Sequence, residues 1–536
     1  MTSPTTRRAP DVVPVTDASD RESHPPMSPA ASTAPTAAPA SGIEPTHPSP
    51  TASVRSRMRR SSEPPVAGPT PPARPHVEDG IGHGPCVELL GAMPSRLRAR
   101  VLTLDGRRVV FVDDRPAPDA AESHPGGPLG APDGEVLAAA ARHALDQRLP
   151  LLVVLATRGT AVEDGLGALD AWGRSARMLT ACSGVVPILV AVTGPAVSGP
   201  SLLLGLADLV VMSEGAHTYV NSAHAVRDWT GEVITSDELA GAGTHALRTG
   251  VAALVAADHD GAVDCLRDLL AYLPDSNDAL APCVDTNDPI DRRTPEAGAL
   301  IPATATGSYD VCDVIRAVVD DGDLLEVRAG WAPNLVTAFA TVAGRPVGVV
   351  ASQPCRLAGT LDIAASQKGA RFVSMCDALN LPLVTFVDTP GFSPGKDLEW
   401  RGMIRHGAQL AFAYTRATVP RVCITLRKSY GGAYIVMDSK TIGNDLSLAW
   451  PSAEIAVMGA KGAVEILHRA ASPAERHELE QAYEERLLNP YAAAERGYVD
   501  AVIDPADTRI ELAAALEVLQ TKREHLPPRK HDNTPL

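Results

Sequence analysis

A chain of 536 residues, 45% of them hydrophobic, is long enough to bury two sizeable cores. Its net charge of −16, with no extended basic run in the folded part, argues against nucleic acid as a partner. The eight cysteines form no C-x-x-C pair and no apolar run reaches membrane-spanning length; a zinc ribbon, a disulfide scaffold and a membrane span are all unexpected, and reduced thiols in a cytoplasmic protein fit best.

In chain order, residues 1 to about 80 are rich in Pro, Ser, Thr and Ala, with a small basic cluster at Arg55, Arg57, Arg59 and Arg60. Such a stretch buries too little apolar surface to offset chain entropy and is expected to be disordered, with no charged-then-apolar leader for secretion. A first half spans about 85–272: a hairpin at Asp105-Gly106-Arg107, a Pro/Gly-rich loop over Pro116–Gly134, a helix over Glu135–Gln147, and an apolar strand from Pro150 to Arg158-Gly159. A second strand begins at Val186-Pro187, and Ser201–Met212 is apolar enough to be core on most sides. Acidic, proline-bearing residues 273–307 read as a surface linker.

The second half spans about 308–516. A hairpin at Ala343-Gly344-Arg345 precedes an amphipathic helix over Leu361–Leu379, with Lys368 and Arg371 placed on its polar side. Then come a strand from Pro382 into Asp388-Thr389-Pro390-Gly391-Phe392, a helix over Gly402–Thr415 and a strand from Val419-Pro420 to Leu426. Arg427–Met437 carries the turn Tyr430-Gly431-Gly432-Ala433-Tyr434; residues 517–536 read as a polar tail.

The two halves repeat one plan. Each Val-Pro step has a glycine 12 residues past its proline, at Gly199 and at Gly432. A strand that meets a helix through a glycine turn aims free backbone N–H groups at one point, which suits a developing oxyanion. Two copies give two such sites.

Gln353–Asp362, Val387–Gly395, Ile404–Ala408, Arg427–Met437, Ala449–Val464 and the linker Val284–Arg293 together resemble the carboxyltransferase (β) subunits of biotin-dependent acyl-CoA carboxylases, over roughly 282–503. The resemblance implies an α/β fold of two tandem crotonase-like domains made by internal duplication. It implies an enzyme that moves a carboxyl group from carboxybiotin to the α-carbon of acetyl- or propionyl-CoA, without a metal or a side-chain nucleophile. It also implies a homo-hexamer working with a biotin carboxylase (α) subunit that carries the biotinyl group; this chain has no Met-Lys-Met signature, and its first lysine is Lys368. By the same resemblance the Gly432 and Ala433 amides hold the biotin oxyanion and the turn at Ser198 and Gly199 holds the thioester. Gly431, Tyr434, Ile435, Gly159, Gly391 and Phe392 line the substrate and biotin pockets.

The first half departs from the family. Its Gly-Gly-Ala-Arg-like loop becomes Arg158-Gly159-Thr160-Ala161, and its Gly-Gly-Ala turn becomes Ser198-Gly199-Pro200. Proline has no N–H. The expectation is that Ser198 and Gly199 donate; donation by Gly199 and Pro200, as the repeat suggests, would leave one donor. Ile435 stands where propionyl-type members often carry aspartate, so a partial shift toward acetyl-CoA is expected. The alternatives are a non-catalytic assembly subunit and a biotin-dependent decarboxylase. Several residues keep two readings: Asp388 orients substrate or caps a turn, Tyr430 and Tyr434 wall a pocket or pack the core, and His406 with Arg405 is a base or a helix-surface pair.

Overall fold

The computed structural model describes residues 86–114, 126–304, 306–522 and 524–535. The tail expected over 1–80 and most of the loop expected over 116–134 lie outside the described residues. The first half forms strands β1 (Val87–Leu89), β2 (Leu97–Leu104), β3 (Arg107–Asp114), β4 (Leu151–Thr157), β5 (Ile188–Val197), β6 (Leu209–Ser213), β7 (His217–Tyr219) and β8 (Leu254–Ala256). The second forms β9 (Leu324–Glu326), β10 (Leu335–Val342), β11 (Arg345–Ser352), β12 (Leu383–Thr389), β13 (Arg421–Tyr430), β14 (Leu446–Ala449), β15 (Glu454–Ala456) and β16 (Ala501–Val502). Each set makes one eight-stranded sheet, in the orders β1-β2-β3-β4-β5-β6-β8 and β9-β10-β11-β12-β13-β14-β16, with β7 on β5 and β15 on β13. The two sheets have the same topology. Even the slips agree: β4/β5 shifts register between Leu155 and Thr157, and β12/β13 between Val387 and Thr389.

The parallel strands β4 and β12 are buried at every residue, because a parallel strand is covered on both faces by its crossover helices. In the first half these are α1 (Ala131–Gln147), α2 (Leu166–Cys182) and α3 (His259–Tyr272). The helix expected from Glu135 starts a turn earlier, since Pro132 suits the first turn and Asp133 accepts the Gly130 amide at 2.7 Å. In the second half they are α4 (Ile363–Ala378), α5 (Met403–Arg416), α6 (Gly431–Val436) and α7 (Thr508–Leu519). Asp362 caps α4 by accepting the Ala365 amide at 2.8 Å. The apolar stretch Ser201–Met212 divides into a tight helical turn (Gly199–Leu206) and β6. One apolar core joins the halves: Tyr272 of α3 stacks on Phe339 of β10 at 5.7 Å, and Phe339 meets Phe372 of α4 at 5.3 Å.

Lys368 corrects the amphipathic reading of α4. It is 1% exposed, and its Nζ donates to the carbonyls of Arg328 (2.9 Å), Trp331 (3.0 Å) and Ala332 (3.4 Å). Neither does the C-terminal segment hang free: Lys522 pairs with Asp445 at 2.9 Å, and Asp532 with Arg416 at 2.7 Å. No helix among the described residues is long and apolar enough to cross a membrane.

The linker is tied in by Arg509 of α7, fully buried, which pairs with the equally buried Asp320 at 2.7 Å and donates to the carbonyls of Val318 (2.9 Å) and Pro289 (3.1 Å). Arg509→Met leaves Asp320 charged and unpaired in the core. A loss of about 3–5 kcal/mol is expected in urea unfolding followed at Trp450, and a loss under ~1 kcal/mol would show that the pair contributes little.

Candidate active site: two glycine turns

At the end of β13 the chain enters α6 with no connecting loop. Gly431 makes the junction at φ +59°, and a Cβ there would sit 3.2 Å from the Val457 carbonyl oxygen. Only glycine takes that conformation freely. The first amides of a helix have no partner within it, and those of Gly432 and Ala433 make no hydrogen bond among the described residues. Phe392 lies over them: a Cβ on Gly432 would meet its ring at 3.3 Å. The Phe392 loop is fixed from both sides. Thr389 Oγ1 accepts the Gly391 amide at 3.4 Å, the Leu361 amide donates to Gly391 O at 3.1 Å, and the Ser393 amide donates to Leu361 O at 2.8 Å.

Beneath this turn lies a buried polar knot. Asp388 Oδ2 accepts from Arg427 Nε at 3.0 Å and from the Tyr309 hydroxyl at 2.9 Å, while Oδ1 accepts the Lys428 amide at 3.1 Å. Arg427 also donates to Gly307 O at 2.9 Å. Burial pushes the Asp388 carboxyl up from its ordinary range, and the Arg427 charge pulls it back. Asp388 is therefore engaged by Arg427, Tyr309 and the Lys428 amide, and it locks β12 to β13 under the turn. Sequence reading missed Tyr309 because nothing local marks a residue 79 positions away as its partner.

The first half builds the same junction with other side chains. Val197 lies opposite Tyr219 as Tyr430 lies opposite Ala456, so Ser198, Gly199 and Pro200 occupy the places of Gly431, Gly432 and Ala433. Ser198 carries the positive φ, +66° with ψ −150°, a region that non-glycine residues enter only under strain. The expected Ser198 donor is not available: its amide is bonded to Tyr219 O at 2.8 Å, extending the β5/β7 ladder by one residue. The Gly199 amide makes no hydrogen bond among the described residues, and Pro200 has none to offer. Thr160 stands where Phe392 stands, since Leu129 bridges Thr160 as Leu361 bridges Phe392. Its Oγ1 comes within 3.8 Å of the Cβ position of Gly199. Thr157 accepts the Gly159 amide at 3.1 Å, as Thr389 does for Gly391. The polar knot has no counterpart: the places of Arg427 and Asp388 are taken by Gly194 and Ala156, packed so closely that a Cβ on Gly194 would lie 3.2 Å from that of Ala156.

The structure thus gathers Gly391, Phe392, Gly431, Gly432 and Ala433 on one sheet, and Gly159, Thr160, Ser198 and Gly199 on the other. Ile435, 45% exposed, stands beside the second turn. Tyr434, partly buried, packs against the small apolar cluster that contains Ala449, Ala453 and Ile455, which is the core reading. The Tyr430 hydroxyl donates to Glu454, and His406 lies on α5 within 3.2 Å of Arg405 and of Gln367. Ser429 is buried.

Two crotonase-like sheets, each ending a parallel strand in an amide-bearing turn, define a tandem scaffold for stabilising oxyanions. The carboxyl transferase domain matches residues 104–534, and the chain belongs to that family as a carboxyltransferase of the acyl-CoA carboxylase type. The propionyl-CoA carboxylase beta chain of Saccharopolyspora erythraea is 43% identical over 454 residues, covering 81% of this chain and 82% of that one. The methylmalonyl-CoA carboxyltransferase 12S subunit of Propionibacterium freudenreichii subsp. shermanii is 43% identical over 417 residues, 76% of this chain and 79% of that one. A transcarboxylase 12S crystal structure, described as a hexamer with methylmalonyl-coenzyme A and methylmalonic acid bound, superposes with a TM-score of 0.81 at 38% identity, covering 86% of this chain and 92% of that one.

Ser198→Gly removes a side chain from a glycine-only conformation. A net gain of about 1 kcal/mol is expected in denaturant unfolding, and a loss of stability would mean that the serine side chain holds the turn.

Proposed function

We propose that the chain moves a carboxyl group from carboxybiotin to the α-carbon of a short-chain acyl-CoA, with the biotin side at the second turn and the thioester side at the first. The observation that carries this reading is the pair of unbonded amides at Gly432 and Ala433 under Phe392, matched by a second turn of the same build. The cleft over Gly432 fits a flat ring: it is walled by Phe392 and would be narrowed by any Cβ on Gly432. Carboxybiotin, when bound, supplies the carboxyl group and, once that group has left, a base for the α-proton. The Gly432 and Ala433 amides stabilise a negative oxygen beside them; two preorganised donors of this kind lower a barrier by roughly 3 kcal/mol each. At the first turn the Gly199 amide donates to the thioester oxygen as the α-carbon loses its proton. The Thr160 hydroxyl, set over Gly199, takes the part of the amide that Pro200 lacks.

Two surfaces support a site completed between copies. Val162 and Leu166, just past the Thr160 loop, are 86% and 80% exposed; Trp400, Ile404 and Val457, near the second turn, are 77%, 84% and 74% exposed. Large apolar groups in such numbers mark an interface, and a hexamer that sets the first turn of one copy against the second turn of another covers both. The biotin arrives on a partner protein, a biotin carboxylase subunit being the reading adopted here. Ile435 gives the second turn an apolar wall and favours acetyl-CoA, partially, since one methylene is worth about 1–3 kcal/mol in such pockets. Co-purification with biotin-carrying subunits, followed by carboxylation assays on acetyl-, propionyl- and butyryl-CoA, tests the whole reading; binding without turnover of any of them favours the assembly subunit.

Gly432→Pro removes an amide and is expected to lower carboxyl transfer by about two to three orders of magnitude while sedimentation shows the oligomer intact. Near-parental turnover in the assembled variant would refute that donor. Thr160→Val is expected to lower kcat by about a hundredfold, and adding Pro200→Ala, which restores an amide beside Gly199, should recover at least tenfold. If Thr160→Val is neutral and Pro200→Ala alone raises the rate, Gly199 acts without the hydroxyl. If an inactive parent is switched on by Pro200→Ala, the natural chain is an assembly subunit.

A further inference from the structure

A cavity of about 350 Å³ opens behind the first turn, between the helical turn Gly199–Leu206 and two arginines of the second half. It shares no lining residue with the junction at 198–200 or the loop at 158–161. Val210 and Val251 give it an apolar wall; Tyr219, Arg328 and Arg371 give it a polar one. Arg328 is held there by its surroundings. Its φ is +58°, its carbonyl accepts from Lys368 Nζ at 2.9 Å, and its amide donates to Ala253 O at 2.8 Å. Its Nε donates to Gly250 O at 2.7 Å, which leaves the outer edge of the guanidinium toward the cavity.

Charge around the cavity is unbalanced. No carboxylate among the described residues pairs with Arg328; burial, and then the Arg371 charge, push its pKa down to about 10. Arg371 is only partly served, by Ala207 O at 2.9 Å and by Asp208 at 3.7 Å. Of these charged groups only Arg328 and Arg371 line the cavity, and the carboxylate beside them is Asp208, whose pKa burial raises. Arg328 is partly buried and Arg371 is 46% exposed, and an anion between them would offset their charge; the planar guanidinium fork matches the oxygens of a phosphate in spacing and charge.

We infer that this cavity is a binding site for a phosphate group, borne free or on a small part-apolar molecule, separate from the carboxyl-transfer site. Tyr219 links the two: it lines the cavity, and its carbonyl holds the Ser198 amide at 2.8 Å. An occupant therefore rests against the strand that fixes the first turn.

The test is isothermal titration of the full chain with potassium phosphate, against potassium chloride at matched ionic strength. One saturable site per chain is expected, weakened tenfold or more by Arg328→Gln and partly recovered in Arg328→Lys. Arg371→Gln carries the same expectation if Arg328→Gln does not fold. Phenyl phosphate binding more tightly than inorganic phosphate would assign an ester that uses the apolar wall, and equal binding would assign the free anion. The inference is overturned if the parent gives no saturable heat, or if Arg328→Gln binds as the parent does. It is also overturned if coenzyme A displaces the phosphate, which would make the cavity part of the thioester site. Dissociation of the oligomer on Arg328→Gln in sedimentation velocity would overturn it too, because a second copy would then be filling the cavity.

Discussion

Everything at the two sites depends on joining a parallel strand to a helix without a loop. The strand must end its ladder, reverse its backbone at one residue of positive φ, and present the next amides before any helical carbonyl can reach them. Gly431 meets that demand at no steric cost, and Ser198 meets it under strain. In the first copy the amide of the reversing residue remains in the ladder, bonded to Tyr219 O. The amides left to face the turn are those of the two positions that follow it. That rule assigns the pair Gly432 and Ala433 in one copy, and in the other Gly199 with a proline.

Much of this was legible in the chain. The duplication, the hairpins, the strands β4 and β12 and the place of both turns follow from short apolar runs, Val-Pro steps and glycine spacing, all of them local signals. Which of two adjacent amides is free is not local. It is decided by a ladder with β7, whose Tyr219 lies 21 residues beyond Ser198. Aligning Gly199 with Gly432 places Pro200 on Ala433, which agrees with the bonded Ser198 amide, whereas counting intact hydrogens alone points to Ser198 and Gly199.

Buried cations were the other blind spot. Lys368 looks like a surface residue in a linear pattern, yet it is buried and bonded to carbonyl oxygens, as Arg427 and Arg509 are buried and bonded to carbonyl or carboxylate oxygens. Helical periodicity reports which face is apolar and says nothing about which loops end their carbonyls against that face. The oxygens that receive Lys368 belong to a loop some 36 to 40 residues upstream. A lysine that neutralises unpaired carbonyls can be found only once the loop is in place.

The two copies have since diverged in what holds the turn. Under the second, the Arg427–Asp388–Tyr309 knot ties two strands and a helix lead-in together; a buried pair with every oxygen engaged resists displacement because separation would leave a bare charge. Under the first, Gly194 lies against Ala156, a contact that fixes distance but carries no such penalty. The side chain above the turn changed as well, from the ring of Phe392 to the hydroxyl of Thr160. These differences point the same way. The second turn keeps its geometry through charge and keeps both amides, whereas the first relies on packing and has a hydroxyl within reach of its one free amide. A backbone N–H is fixed by the fold, while a threonine hydroxyl rotates about χ1. The first turn is therefore the adaptable one, and the second is the rigid one.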